Sequence, residues 1–244
     1  MSATDLFDLS GKDILLTGGS GLLGSHWVSI LESFGARVFN LDRIQPEDAS
    51  KGIHIWGDLS SWSTVETALQ ELEYRYGTSI YGIVNAAFYN PGPTTEIDHR
   101  NWRLQSELME GTDRLVAWGL TKESVQVVIN IGSDLSLQGI TPYLYEGYDM
   151  KQSHYTIFKH AMLGLTHHWA PLYAYVGKRM NLLCPGGVGK SMPEEFRKRV
   201  EKLVPMGRTA NVSDFDGALV FLLSDASRYT TGTTLVIDGG RTCW

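Results

Sequence analysis

Asp13-Ile14-Leu15-Leu16-Thr17-Gly18-Gly19-Ser20-Gly21-Leu22-Leu23-Gly24 is the stretch that decides the fold. A short apolar run ends in a turn of glycines, and Leu22 to Phe34 then carries apolar residues at helical spacing. A buried strand feeding a helix through glycines lets backbone N–H groups and a helix N-terminus come close to an anion, and a pyrophosphate suits that place. A ligand-free strand–helix turn would read the same way, so the remainder of the chain has to decide.

Working outward, the alternation repeats. Val38 to Leu41 is a second run closed by Asp42, and Ile53 to Trp56 leads into Gly57-Asp58. Residues 61–76 read as an amphipathic helix, Ile80 to Ala87 as a strand, 98–120 as a long helix and Val125 to Ile131 as a strand. Residues 151–176 look helical, Met180 to Cys184 is a strand, 191–203 and 213–224 are helices, and Thr234 to Ile237 is a last strand. Short continuous apolar runs alternating with longer helices predict a parallel sheet covered on both faces, the doubly wound α/β (Rossmann) class. No linker or internal repeat interrupts the pattern, so residues 1–244 read as one domain. Glycine, 26 of 244 residues, exceeds the usual ~7% and falls at strand ends.

Composition narrows the function. Twenty-one Lys+Arg against 27 Asp+Glu give a net charge of −6, which offers no footprint for a nucleic-acid backbone. No apolar run approaches the ~18 residues of a membrane span, and no secretory signal is evident. A cytoplasmic protein with neither nucleic acid nor membrane as partner is expected. Cys184 and Cys243 make no disulfide framework, and His154, His160, His167 and His168 lack the companions of a metal site. No metal is expected.

In a doubly wound sheet, ligands bind at the carboxyl ends of the strands. Asp42, about 20 residues beyond the glycines, suits the ribose hydroxyls of an adenosine and repels a 2′-phosphate, which favours NAD(H) over NADP(H). Arg43 could instead reach such a phosphate. Asp58-Leu59 and Asn85-Ala86-Ala87 follow two further strands; the Asp suits an adenine amino group and the Asn can tie strands together, although caps and turns use both. Ile131-Gly132-Ser133 ends the fifth run. Tyr155 and Lys159 then stand one helical turn apart, a spacing in which the ammonium would pull the phenol pKa from about 10 toward neutrality. A surface helix face carries the same spacing.

As a set, these residues resemble the short-chain dehydrogenase/reductase family, single-domain type. The resemblance spans Lys12 to Gly240 and includes Cys184-Pro185-Gly186-Gly187 and Ile237-Asp238-Gly239-Gly240. It implies that Tyr155 is the general acid/base, that Ser133 hydrogen-bonds the reacting oxygen, and that Lys159 tunes the Tyr and holds the nicotinamide ribose. Pro185, Gly186 and Val188 would line the nicotinamide pocket. The rest of the dinucleotide would lie on Thr17, Gly18, Ser20, Gly21, Leu22, Leu23, Asp42, Arg43, Asp58, Leu59, Asn85, Ala86, Ala87 and Ile131. A substrate lid falls around 188–210, and a homotetramer or homodimer would form through the helices at 98–120 and 151–176.

The chain also departs from that family. The family's usual Thr-Gly-x-x-x-Gly-x-Gly is here Thr-Gly-x-x-Gly-x-x-Gly, with Leu22 in the middle glycine's place, a spacing found in sugar-nucleotide epimerases and dehydratases. Leu108 or Met109 stands where the family carries a proton-relay Asn. About nine extra residues separate Ser133 from Tyr155, so the loop Leu135 to His154, with Tyr143, Tyr145, Glu146, Tyr148, Asp149 and Lys151, should overhang the substrate or pack on a neighbouring subunit. Its polar groups suit a polyhydroxylated molecule, and Tyr-x-Tyr-Glu-Gly is similar to a subgroup associated with bacterial surface-sugar and nonulosonic-acid pathways. The expected activity is hydride transfer between nicotinamide and a secondary alcohol or ketone of a small, polar, sugar-like substrate. The alternatives are an epimerase or dehydratase that retains its NAD, and a non-catalytic dinucleotide-binding protein.

Overall fold

The computed structural model describes residues 5–77, 79–90 and 98–244. The elements follow in the order β1 (Asp13–Thr17), α1 (Gly24–Ser33), β2 (Arg37–Asp42), β3 (Ile53–Trp56), α2 (Trp62–Tyr76), β4 (Ile80–Asn85), α3 (His99–Thr121), β5 (Val127–Ile131), α4 (Ser153–Tyr175), β6 (Arg179–Pro185), α5 (Glu194–Glu201), α6 (Asp216–Leu223) and β7 (Thr234–Ile237). The seven strands form one parallel sheet in the order β3-β2-β1-β4-β5-β6-β7. The chain winds outward from β1 to β3 and returns to β4 beside β1, so the carboxyl ends of β1 and β4 flank the switch point where such sheets open a crevice.

Every residue of β1 is buried, because the period of two sends alternate side chains into opposite layers. Ile14 and Leu16 pack with Trp27, Val28 and Leu31 of α1 and with Leu219 and Leu223 of α6. Leu15 faces the other layer, where Val65, Leu69 and Leu72 of α2, Leu115 and Val116 of α3 and Tyr173 of α4 cover the sheet. Gly111 brings α3 against the segment after β3, since a Cβ there would overlap the Leu59 carbonyl oxygen.

Among the expected boundaries that move, three have a visible cause. β4 stops at Asn85 instead of Ala87, because the Ala86 and Ala87 amides turn to donate to Thr17 Oγ1, both at 3.2 Å. The helix expected over 191–203 is only α5, preceded by a 3-10 turn at Gly189–Ser191, with Pro193 setting its start. The segment 213–224 divides into a 3-10 turn, Val212–Phe215, and α6; Asn211 and Asp214 form a capping box at the turn.

Candidate active site

The turn after β1 is built for a close approach. Gly18 has φ +72°, and a Cβ there would lie 2.7 Å from the Ala87 N and Cα, so a side chain would collide with the neighbouring strand's exit. At Gly24 a Cβ would overlap the Gly18 carbonyl oxygen, which is why α1 can begin directly against the turn. Leu23 at the N-cap of α1 makes no side-chain cap bond among the described residues, and this helix start, with the partial positive charge of a helix N-terminus, lies on the crevice wall at Gly24. Leu22, in the place of the usual glycine, leaves the turn open: its side chain stands 44% exposed at the rim. These features fit a dinucleotide's pyrophosphate.

Asp42 ends β2 with its Oδ2 accepting from Ser20 N at 2.9 Å and its Oδ1 from Ile44 N at 3.0 Å. Each oxygen keeps a lone pair for a ribose hydroxyl. Arg43 leans to Asp58, Nη1 to Oδ2 3.6 Å, while Asp58 Oδ1 accepts from Ser60 N and Oγ in a local turn.

A cleft of about 880 Å³ runs along these strand ends. It is lined by Gly18, Ser20, Gly21, Leu22, Leu23, Asp42, Arg43, Asp58, Leu59, Ala86, Ala87, Ile131, Ser133, Tyr155, Lys159, Pro185, Gly186 and Val188, all singled out in the sequence. Thr17 and Asn85 stand outside this lining, Asn85 tying strands together as its place suggested. Both are buried under its floor, Thr17 holding the Ala86 and Ala87 amides and Asn85 donating from Nδ2 to Asn130 Oδ1 at 2.8 Å, which ties β4 to β5.

At the inner end, Ser133 follows β5, and Tyr155 and Lys159 rise from the start of α4. Ser133 Oγ donates to Asp134 Oδ1 at 2.8 Å and accepts from Leu135 N at 3.2 Å. Lys159 Nζ donates to the Ile131 carbonyl at 3.0 Å and lies 3.8 Å from the centre of the Phe88 ring. Burial pushes the Lys159 ammonium down to about 7 and the Tyr155 phenol up to about 12, with the nearby Ser133 hydroxyl pulling Tyr155 the other way. The expected lowering of Tyr155 by Lys159 is therefore absent in this arrangement. The ammonium sits 5.9 Å from the Tyr155 ring centre, and desolvation outweighs attraction for both groups.

The long loop after β5 packs on its own chain. Tyr145 and Tyr148 meet Phe196 of α5 with ring centres 5.5 and 5.6 Å apart, and Arg199 donates to the Glu146 carbonyl at 2.5 Å. Leu144, Val200 and Val204 are buried together beneath them. Between the two sequence alternatives on α3, it is Leu108 that lines the cleft, while Met109 packs with Met162, Leu182 and Cys184.

Among the cleft-wall residues not singled out as site residues are Phe88, Asn90, Asp134, Lys151 and Arg241. Asp134 adjoins Ser133, and Lys151 was noted only as a loop cation. The ion pair of Arg241 with Asp134, 2.7 Å long, joins positions too far apart for any local pattern to signal it.

A family model described as enoyl-(acyl carrier protein) reductase matches residues 34–242, most of the chain. The chain belongs to the short-chain dehydrogenase/reductase family. As such it is an oxidoreductase acting on CH–OH groups. Among curated relatives, the ribulose-forming D-arabinitol 2-dehydrogenase of Candida tropicalis is 28% identical over 271 residues, covering 98% of this chain and 95% of that protein. A short chain dehydrogenase of Leptospira borgpetersenii serovar Hardjo-bovis, solved with bound NAD+, superposes with a TM-score of 0.84 at 27% identity, covering 99% of this chain and 96% of that one. A gluconate 5-dehydrogenase from Burkholderia cenocepacia in complex with NADP and tartrate gives 0.83 at 25%, covering all of both chains. No described helix of this dehydrogenase/reductase is long and apolar enough to cross a membrane.

Proposed function

We propose that the protein interconverts a secondary alcohol and a ketone on a polar, sugar-like molecule with NAD(H), using Tyr155 as acid/base. The observation that carries this is the meeting of Ser133, Tyr155 and Lys159 at the inner end of the dinucleotide cleft. The bound nicotinamide supplies hydride chemistry at its C4. Tyr155 exchanges the proton of the substrate oxygen, and Ser133 turns its hydroxyl from Asp134 to that oxygen. Lys159 reaches the ribose next to the nicotinamide from its place beside the Ile131 carbonyl. Pro185, Gly186 and Val188 form the wall beyond β6.

Two observations support NAD(H). The Asp42 carboxylate is fixed where a 2′-phosphate would meet its charge, and Arg43 is turned to Asp58. A sugar-like substrate is supported by the relatives named for arabinitol and gluconate, and by Tyr145, Tyr148 and Asp149 on the cleft wall. Residues 188–210 and the loop before α4 form the lid. Association into dimers or tetramers through α3 and α4 fits the exposed Ile157 and Leu172 on α4.

Tyr155→Phe tests the reading. It removes the transferable proton with little change of shape, so turnover should fall by about 10²–10⁴-fold while NADH binding, followed by fluorescence titration, is unchanged. Retained turnover overturns it.

A further inference from the structure

Lys151 lies in the loop just before α4 and reaches into the substrate end of the cleft. Its Nζ stands 3.9 Å from the centre of the Tyr155 ring. Its only hydrogen bond among the described residues goes to Asn90 Oδ1, a neutral acceptor, at 2.6 Å. No carboxylate of those residues forms an ion pair with it: Asp134, whose charge does act on Lys151, is already paired with Arg241, and Asp149, also on the cleft lining, makes no ion pair with the ammonium. Partial burial costs this ammonium enough to draw its pKa down to about 8, the mark of a cation awaiting a counter-charge. Arg241 adds to the same end. Among the described residues only its Nη1 is engaged, on Asp134, and Arg241 forms part of the cleft wall.

Building on the alcohol–ketone reading above, we propose that the substrate is a polyol carrying a carboxylate, with Lys151 as the group that binds that carboxylate beside Tyr155. An ammonium has three donors. One is on Asn90, which leaves two for a singly charged carboxylate. A dianionic phosphate, with three oxygens and twice the charge, would call for more donors than the two left on Lys151. The inference therefore commits to a sugar acid over a sugar phosphate or a neutral polyol.

The test uses the full chain loaded with NADH, which cannot oxidise an alcohol, so binding is read without turnover. Calorimetric titration compares five- and six-carbon aldonates with the matching alditols, for example D-gluconate with D-glucitol, and includes glucose 6-phosphate. The expected result is an aldonate affinity at least about tenfold above that of its alditol, a ratio that collapses in Lys151→Met and survives in Lys151→Arg. Unchanged NADH binding checks that each variant is folded. Equal affinity for acid and alditol, tighter binding of the phosphate, no binding of any aldonate, or an unchanged ratio in Lys151→Met overturns the inference. Turnover with NAD+ separates it from the broader reading. Oxidation of alditols without aldonate binding sinks the carboxylate site alone, whereas aldonate binding without oxidation of any substrate sinks the oxidoreductase reading alone.

Discussion

Arg241 donates from Nη1 to Asp134 Oδ2 at 2.7 Å, with both side chains less than a tenth exposed, and Asp134 in turn accepts the Ser133 hydroxyl on its other oxygen. The last residues of the chain thus hold the side chain that positions Ser133. Arg241→Met leaves a buried carboxylate unpaired, at a cost of about 3 kcal/mol, which in a domain of this size lowers Tm by about 6–12 °C. It should also lower kcat with little change in NADH affinity. Combining it with Asp134→Asn removes the unpaired charge and should recover much of the Tm in thermal melts, but not the kcat.

Lys159 gives stability a pH dependence. Its folded pKa near 7 lies below the roughly 10.4 of an unfolded lysine. Between those values the unfolded chain holds one more proton from this group, so its contribution makes the cofactor-free protein more stable as pH rises. Below pH 7 the fold carries the full cost of a buried ammonium. Lys159→Met should therefore raise Tm by several degrees at pH 6 and by progressively less toward pH 10, while abolishing turnover.

Asp42→Ala removes the charge opposing a 2′-phosphate and frees the Ser20 amide that Asp42 holds. The preference for NAD+ over NADP+, read as the ratio of kcat/KM values, should fall by about tenfold or more. An unchanged ratio would remove Asp42 from the cofactor assignment.

Gly18→Ala brings a methyl group within 2.7 Å of the Ala87 backbone at a φ that L-residues rarely adopt. The turn must shift, and dinucleotide affinity should drop by more than about tenfold in a fluorescence titration, with a loss of stability of roughly 1 kcal/mol or more from the backbone conformation alone.

The sheet was legible because buried parallel strands read as unbroken apolar runs, and the β1 run from Asp13 to Leu16 is bounded by glycines on the crevice side. Helix starts were less so where a proline or a capping box intervened, as at Pro193 and Asn211. Residues directly after a strand do line the cleft, since chain order alone brings them to the crevice. Thr17 and Asn85 show the limit: at a strand end, burial under the floor or exposure on it depends on which amide or amide partner needs the side chain. Arg241 was invisible for a different reason, because its partner lies 107 positions away. The Tyr155 pKa went the opposite way from the sequence expectation, since spacing conveys that two groups are near and says nothing of how dry they are.

The two halves of the proposed lid come from different strand ends, the loop after β5 and the segment after β6, yet Phe196 meets both Tyr145 and Tyr148, and Arg199 donates to the Glu146 carbonyl. Parting the two halves would break these contacts. In the proposed lid these contacts tie the loop to α5, so a change in the loop is expected to alter how long product stays, even where it touches neither substrate nor cofactor.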